Sequence, residues 1–178
     1  MKAVVIYESM YGNTHLIANA IAKGLSESAD VVVVPVGKAE PSLLADADLI
    51  VVGGPTHAHS VSRPGTRKAA VAAADKPDSD LVVEPDAAGA GLRYWFATLA
   101  WKNGRAAAFD TRVNAPPVLT GRASKGITRM LRHHSFSVVA DPESFLVTKA
   151  DYLETDEETR ARDWGAQLAA VVGALTTE

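Results

Sequence analysis

Six residues near the N-terminus, Ser9-Met10-Tyr11-Gly12-Asn13-Thr14, follow almost directly on the apolar run Val4-Val5-Ile6-Tyr7, with only Glu8 between. Hydroxyls, a carboxamide and one glycine in so short a span make a set of uncharged hydrogen-bonding groups. Gly12 lets the backbone turn tightly and approach a ligand without a Cβ in the way. Amides just beyond it are the orphan donors of a helix N-terminus, at the positive end of its dipole. That combination is a cradle for a phosphate.

The residue types narrow the phosphate. A P-loop needs a Lys-Ser/Thr pair after its last glycine, and this stretch has no lysine. A dinucleotide fingerprint needs three spaced glycines, and only Gly12 is here. A phosphatase loop needs cysteine, which the chain lacks entirely, and a receiver domain needs clustered acids where only Glu8 stands. What remains is a terminal phosphate held by amides and hydroxyls with no cation, a description that flavin mononucleotide (FMN) fits.

Such a cradle needs a strand to lead into it and a helix to lead away. Apolar runs of strand length lie at 3–7, 31–34, 49–52 and 105–109, with a weaker one at 137–140 that 144–147 could continue. They are apolar at every position, which implies burial on both faces, as in a parallel sheet covered by helices. Helical patterns alternate with them: one capped by Asn13 or Thr14, with Ile17, Ala20, Ile21, Gly24 and Leu25 on one face; a short one at 42–47; one at 66–74; one carrying Leu92, Trp95, Phe96 and Leu99; and one marked by Ile127, Met130 and Leu131. The last opens on a capping box, Thr155 with Glu158, and shows the stripe Trp164, Leu168, Val171, Val172, Leu175. This order predicts an α/β fold: a three-layer αβα sandwich around a doubly wound five-stranded parallel sheet. In such a sheet a ligand sits outside the carboxyl ends of the strands, where strand order reverses, and Ser9–Thr14 falls there.

The 178 residues suffice for one domain over 1–178, with the Asp/Pro/Ala-rich segment 75–91 as an excursion inside the third crossover. Without cysteine there are no disulfides, thiolate metal sites or cysteine nucleophiles. No apolar run approaches the roughly 20 residues that span a bilayer. Strand-like sequence from Ala3 leaves no room for a signal peptide, so the expected location is cytoplasmic. The net charge of −3 is uneven: residues 53–134 carry +6, between acidic ends. Nucleic-acid binding is not expected, because the chain is acidic overall and shows no aromatic-basic stripe.

After its buried strand, SMYGNT resembles the phosphate loop of the flavodoxin family, Thr/Ser-x-x-Gly-x-Thr, and the likeness extends through nearly the whole order of elements. The resemblance implies that Ser9, Met10, Tyr11, Gly12, Asn13 and Thr14 hold the phosphate of FMN. Tyr11 is a departure, since flavodoxins often place a threonine hydroxyl there. The resemblance further implies that the loop after the third strand, 53–67, meets the isoalloxazine through Pro55, Thr56, His57 and Ala58, although no Trp or Tyr occurs in it. The loop after the fourth strand, 109–126, should line the other edge with Asp110, Thr111 and Arg112.

Each candidate has a plainer reading. His57 and His59 have H-A-H spacing on what reads as an extended segment, but no third metal ligand appears, so no metal site is expected. His133 and His134 serve a helix dipole. Asp110 could equally cap a turn, and Trp95 sits on an apolar stripe, which favours core packing; the role of Trp101 stays open. Arg63, Arg67, Arg112, Arg122 and Lys125 flank the site with Asp110 the only acid nearby, surroundings that would favour a reduced, anionic flavin and attract anionic partners. The expected function is FMN-dependent electron transfer to a redox partner protein or small-molecule acceptor. The alternatives are a flavin-dependent quinone or nitro-compound reductase fed by a nicotinamide, and a flavin-free binding module of the same fold.

Overall fold

The computed structural model describes residues 1–100 and 103–176, so Trp101 lies outside the described residues. The apolar runs form strands β1 (Lys2–Tyr7), β2 (Asp30–Pro35), β3 (Leu49–His57), β4 (Ser60–Val61), β5 (Gly104–Val113), β6 (Phe136–Val138) and β7 (Glu143–Val147). The sheet order is β2-β1-β3-β5-β6, all parallel, with β7 also parallel to β5. β6 pairs with residues 104–106 of β5 and β7 with residues 109–113, so the two pieces share the fifth position of the five-strand core. β4 adds a short antiparallel pairing with the end of β3.

Two strands run further than their apolar stretches. Gly53 pairs with Phe109, Gly54 with Asp110 and Pro55 with Thr111. Pro55–His57 and Asp110–Arg112 are therefore strand residues, not loop residues. Glycines that read as turn signals serve close packing here: a Cβ on Gly53 would lie 2.1 Å from the Phe109 ring.

Between the strands lie α1 (Asn13–Leu25), α2 (Pro41–Ala45), α3 (Pro64–Ala74), α4 (Leu92–Thr98), α5 (Pro117–Thr120), α6 (Ala123–His133) and α7 (Glu157–Thr176). The pleat of β1 sends Val5 and Tyr7 into one core with Ile17, Ile21, Leu25, Phe145, Trp164 and Leu168. It sends Val4 and Ile6 into another with Leu92, Trp95, Phe96, Ile127 and Leu131. Each large side chain buried this way contributes about 1.5–3 kcal/mol. Trp95 is a core residue whose indole N–H donates to the Ala39 carbonyl at 3.2 Å. His134 ends α6 and stacks on Phe96.

α1 and α7 touch backbone to backbone. A Cβ on Gly24 would lie 1.9 Å from the Arg162 carbonyl oxygen, and one on Gly165 would lie 2.2 Å from that of Ile21. α7 starts at Glu157, so Thr155 and Glu158 do not form the expected capping box. The Glu157 carboxylate instead reaches back to the Leu146 amide at 2.7 Å and pairs with Arg160. Among the described residues no helix is long and apolar enough to cross a membrane.

Candidate cofactor-binding site

Strand order reverses between β1 and β3, and SMYGNT lies beyond the carboxyl end of β1 at that reversal. Gly12 caps α1 with φ 101°, a left-handed conformation that suits glycine. Neither Asn13 nor Thr14 caps the helix, because both side chains are used elsewhere. The Asn13 side-chain carboxamide donates to the Asp151 carbonyl at 2.8 Å, and the Thr14 hydroxyl lies 2.7 Å from that of Thr111. The loop has three further ties: Gly12 N–H to Ser9 Oγ (3.1 Å), Tyr11 O–H to the Ala70 carbonyl (2.7 Å), and Glu84 N–H to the Met10 carbonyl (2.8 Å).

These ties leave the loop's own donors open. Among the described residues, the amides of Ser9, Met10, Tyr11, Asn13, Thr14 and His15 have no hydrogen-bond acceptor. All of these residues but His15 line a cleft of 110 Å³: Ser9, Met10, Tyr11, Asn13 and Thr14 from β1–α1, facing Pro55, Thr56 and His57 from β3 and Thr111, Arg112 and Val113 from β5. Whole small-molecule sites run to about 300–1,000 Å³. This small cleft therefore suits a phosphate ester tail, with any ring system lying outside it along the strand tips.

The sequence-chosen residues divide by what they do. His57 is half-buried beside the cleft, and burial lowers its imidazole pKa, with Arg67 acting the same way and Glu8 opposing. Thr56 spends its hydroxyl on the Ala123 amide (2.8 Å), seating α6. Arg112 donates to the Ala115 carbonyl at 2.7 Å and so shapes the loop after β5; burial lowers its pKa. Ala58 and Asp110 do not line the cleft. Ala58 and His59 form the left-handed turn between β3 and β4, with φ of 45° and 69°. Asp110 is fully buried with its carboxylate on the Ser124 amide (2.7 Å) inside the first turn of α6. Burial raises its pKa and the Ser124 amide opposes that. The structure thus favours the plainer reading of Asp110, a helix-seating group.

His57 ends β3 and His59 lies within the tight turn that follows, so the two do not share one extended segment. Among the described residues no group of three His, Asp or Glu side chains is placed to hold a metal. The basic surroundings also look different in space. Arg67 pairs with buried Glu8 at 3.6 Å, and Arg122 donates to Ser144 at 3.0 Å, so these guanidiniums are committed to holding the fold.

Two residues of consequence, Glu8 and Asp151, were given no role by the sequence. Glu8 accepts from the Ser62 hydroxyl and from the Leu92 amide (2.8 Å), while Arg67 donates onward to the Ala87 (2.6 Å) and Gly89 carbonyls. Together they clip residues 87–92 to the end of β1. Asp151, from the loop after β7, lines the cleft; burial raises its pKa and the Asn13 side chain opposes that.

The flavodoxin family model matches residues 5–81. No protein of curated function matches the chain. Solved structures share its fold. A flavodoxin from the domain Archaea is 22% identical, with 97% of this chain and 99% of that one covered at a TM-score of 0.66. Oxidised Flavodoxin 1 from Bacillus cereus is 21% identical over 96% and 98% at 0.64, and a WrbA-like flavodoxin from Agrobacterium tumefaciens is 20% identical over 97% and 98% at 0.63. The flavodoxin resemblance of the sequence is borne out by the family model over that stretch and by the fold across the chain.

Proposed function

We propose that this chain binds FMN without a covalent link and works as a flavodoxin-type electron carrier for a redox partner protein or small-molecule acceptor. One observation carries the reading: six backbone amides without acceptors, arrayed around left-handed Gly12 at the point where strand order reverses. In this reading the amides of Ser9, Met10, Tyr11, Asn13 and Thr14 and the hydroxyls of Ser9 and Thr14 hold the phosphate. Pro55, Thr56 and His57 on β3 flank the ring from one side, and Thr111 and Arg112 on β5 from the other. Ala58 and Asp110 act through position, one turning the hairpin and the other seating α6. FMN, when bound, supplies one- or two-electron redox chemistry.

His57 stays neutral near neutral pH because burial disfavours its charge, so it offers one ring N–H and one lone pair to whatever lies against β3. The small, open cleft supports a carrier with an exposed ring edge over a reductase with a closed substrate chamber.

The test is calorimetric titration of apoprotein with FMN and with riboflavin. FMN should bind one to one, with riboflavin at least tenfold weaker, because the phosphate meets most of the fixed donors. Thr14→Ala should weaken FMN and leave riboflavin nearly unchanged. Equal affinities, or no heat with either, would remove the proposal and leave a flavin-free module. With FMN bound, direct bleaching by NADPH or NADH would mark a reductase; bleaching only through an auxiliary reductase marks a carrier.

A further inference from the structure

A second and more roomy cavity lies away from the SMYGNT cleft. Between α3, the turn at 86–91 and the start of α4 is a pocket of 530 Å³, well inside the range of small-molecule sites. Its walls are apolar, formed by Pro64 and Val71 of α3 and the alanines at 87, 88 and 90. Tyr94 stands at its edge with 64% of its surface exposed. Lys68 is exposed at the rim and has no hydrogen bond or ion pair among the described residues. No acidic residue lines the pocket, and nearby Asp86 is paired with Lys38 at 3.5 Å.

The pocket is also held open in advance. Arg67 ties the Ala87 and Gly89 carbonyls to α3, Glu8 ties Arg67 and the Leu92 amide to β1, and the Gly89 amide returns to the Asp86 carbonyl at 3.0 Å. A cavity whose walls are fixed before binding costs a ligand little ordering entropy.

We infer that this pocket binds a flat aromatic anion, its ring between Val71 and Tyr94 and its carboxylate or sulfonate on Lys68. Apolar walls reward burial of the ring, and the unpaired ammonium at the rim rewards one negative charge. A second like charge would meet no further exposed cation on the lining, because Arg67 is held inward against Glu8 and the Ala87 and Gly89 carbonyls, with its Nε buried. The site is separate from the phosphate cleft, with Tyr11 lying between them: its ring lines the cleft and its hydroxyl bonds α3 at Ala70.

The test uses 2-naphthoate as the anionic probe and 2-naphthamide as its neutral counterpart, titrated against the full chain by calorimetry. Naphthoate should saturate below about 1 mM and bind more tightly than the amide. Lys68→Gln should weaken naphthoate by roughly fivefold and leave naphthamide unchanged. Val71→Trp and, on the exposed side, Ala88→Trp should each abolish binding of both, with cooperative thermal unfolding retained as the check on folding. Thr14→Ala and saturating FMN should leave naphthoate binding intact, whether or not FMN binds its own cleft. The inference is overturned by absence of saturable binding, by wild-type affinity in both blocking variants, by equal response of the two probes to Lys68→Gln, or by displacement of the probe by FMN.

Discussion

Gly12→Ala separates the strain of the phosphate loop from its grip. At φ 101° an L-residue costs about 1–2 kcal/mol more than glycine. The new Cβ adds no clash, since its nearest neighbour is Glu84 Oε1 at 3.4 Å, an ordinary contact. Nor does Gly12 line the cleft. Ser9, Ala70, Glu84 and Asp151 hold the loop in place without a ligand, so the strain falls on the apoprotein and the complex alike. The expected result is a loss of stability of about 1–2 kcal/mol, a Tm lower by about 2–8 °C in a chain of this size. The FMN dissociation constant should change by less than about threefold. Thermal unfolding of the apoprotein and calorimetry with FMN read the two quantities. An unchanged Tm together with a 5–30-fold weaker FMN affinity would show that the loop is ordered only by its ligand, and the description of a preset cradle would fall.

Other expectations are as direct. Asp151→Asn removes a carboxylate from the rim of an anion site and should tighten FMN about fivefold, while riboflavin, lacking the phosphate, should not respond. His59→Gly relieves a residue held at φ 69° in the turn after β3 and should raise Tm by a few degrees in thermal unfolding. His57 has a lowered pKa in the fold, so the unfolded chain binds its proton first. Stability from this group is present above the unfolded value near 6.5 and is lost as pH falls towards the folded value. Denaturant midpoints at about pH 7.5 and about pH 5 should show that loss, and His57→Gln should reduce it.

The parts of this molecule that were legible in sequence were the local ones. Continuous apolar runs at Val4–Tyr7 and Leu49–Val52 announced buried parallel strands, and the spacing of Leu92, Trp95, Phe96 and Leu99 announced a helix with Trp95 inward. SMYGNT was legible because a strand, a glycine and a helix start lie within a dozen residues. Less visible was anything that depends on long-range pairing. β3 and β5 lengthen because Gly53–Pro55 and Phe109–Thr111 zip together, and no local signal separates that from a turn. The Glu8 clip joins Ser62 and Leu92, 54 and 84 residues away, and Asn13 meets Asp151 across 138 residues. The arginines of the basic middle segment were countable, but their partners were not: Arg67, Arg112 and Arg122, read as part of a positive field, also act as fasteners of the fold.

The bare contact of Gly24 with Arg162 and of Gly165 with Ile21 means that the helix presenting the cradle is clamped by the last helix of the fold. A ribosome that has released everything up to β7 has already made the whole phosphate loop. It has made it, however, on a helix whose greasy flank of Ile17 and Ile21 still lacks its cover from Trp164 and Leu168. A chain made only as far as β7 thus holds the residues of the SMYGNT loop but neither Asp151, which ties Asn13, nor the helix that braces α1.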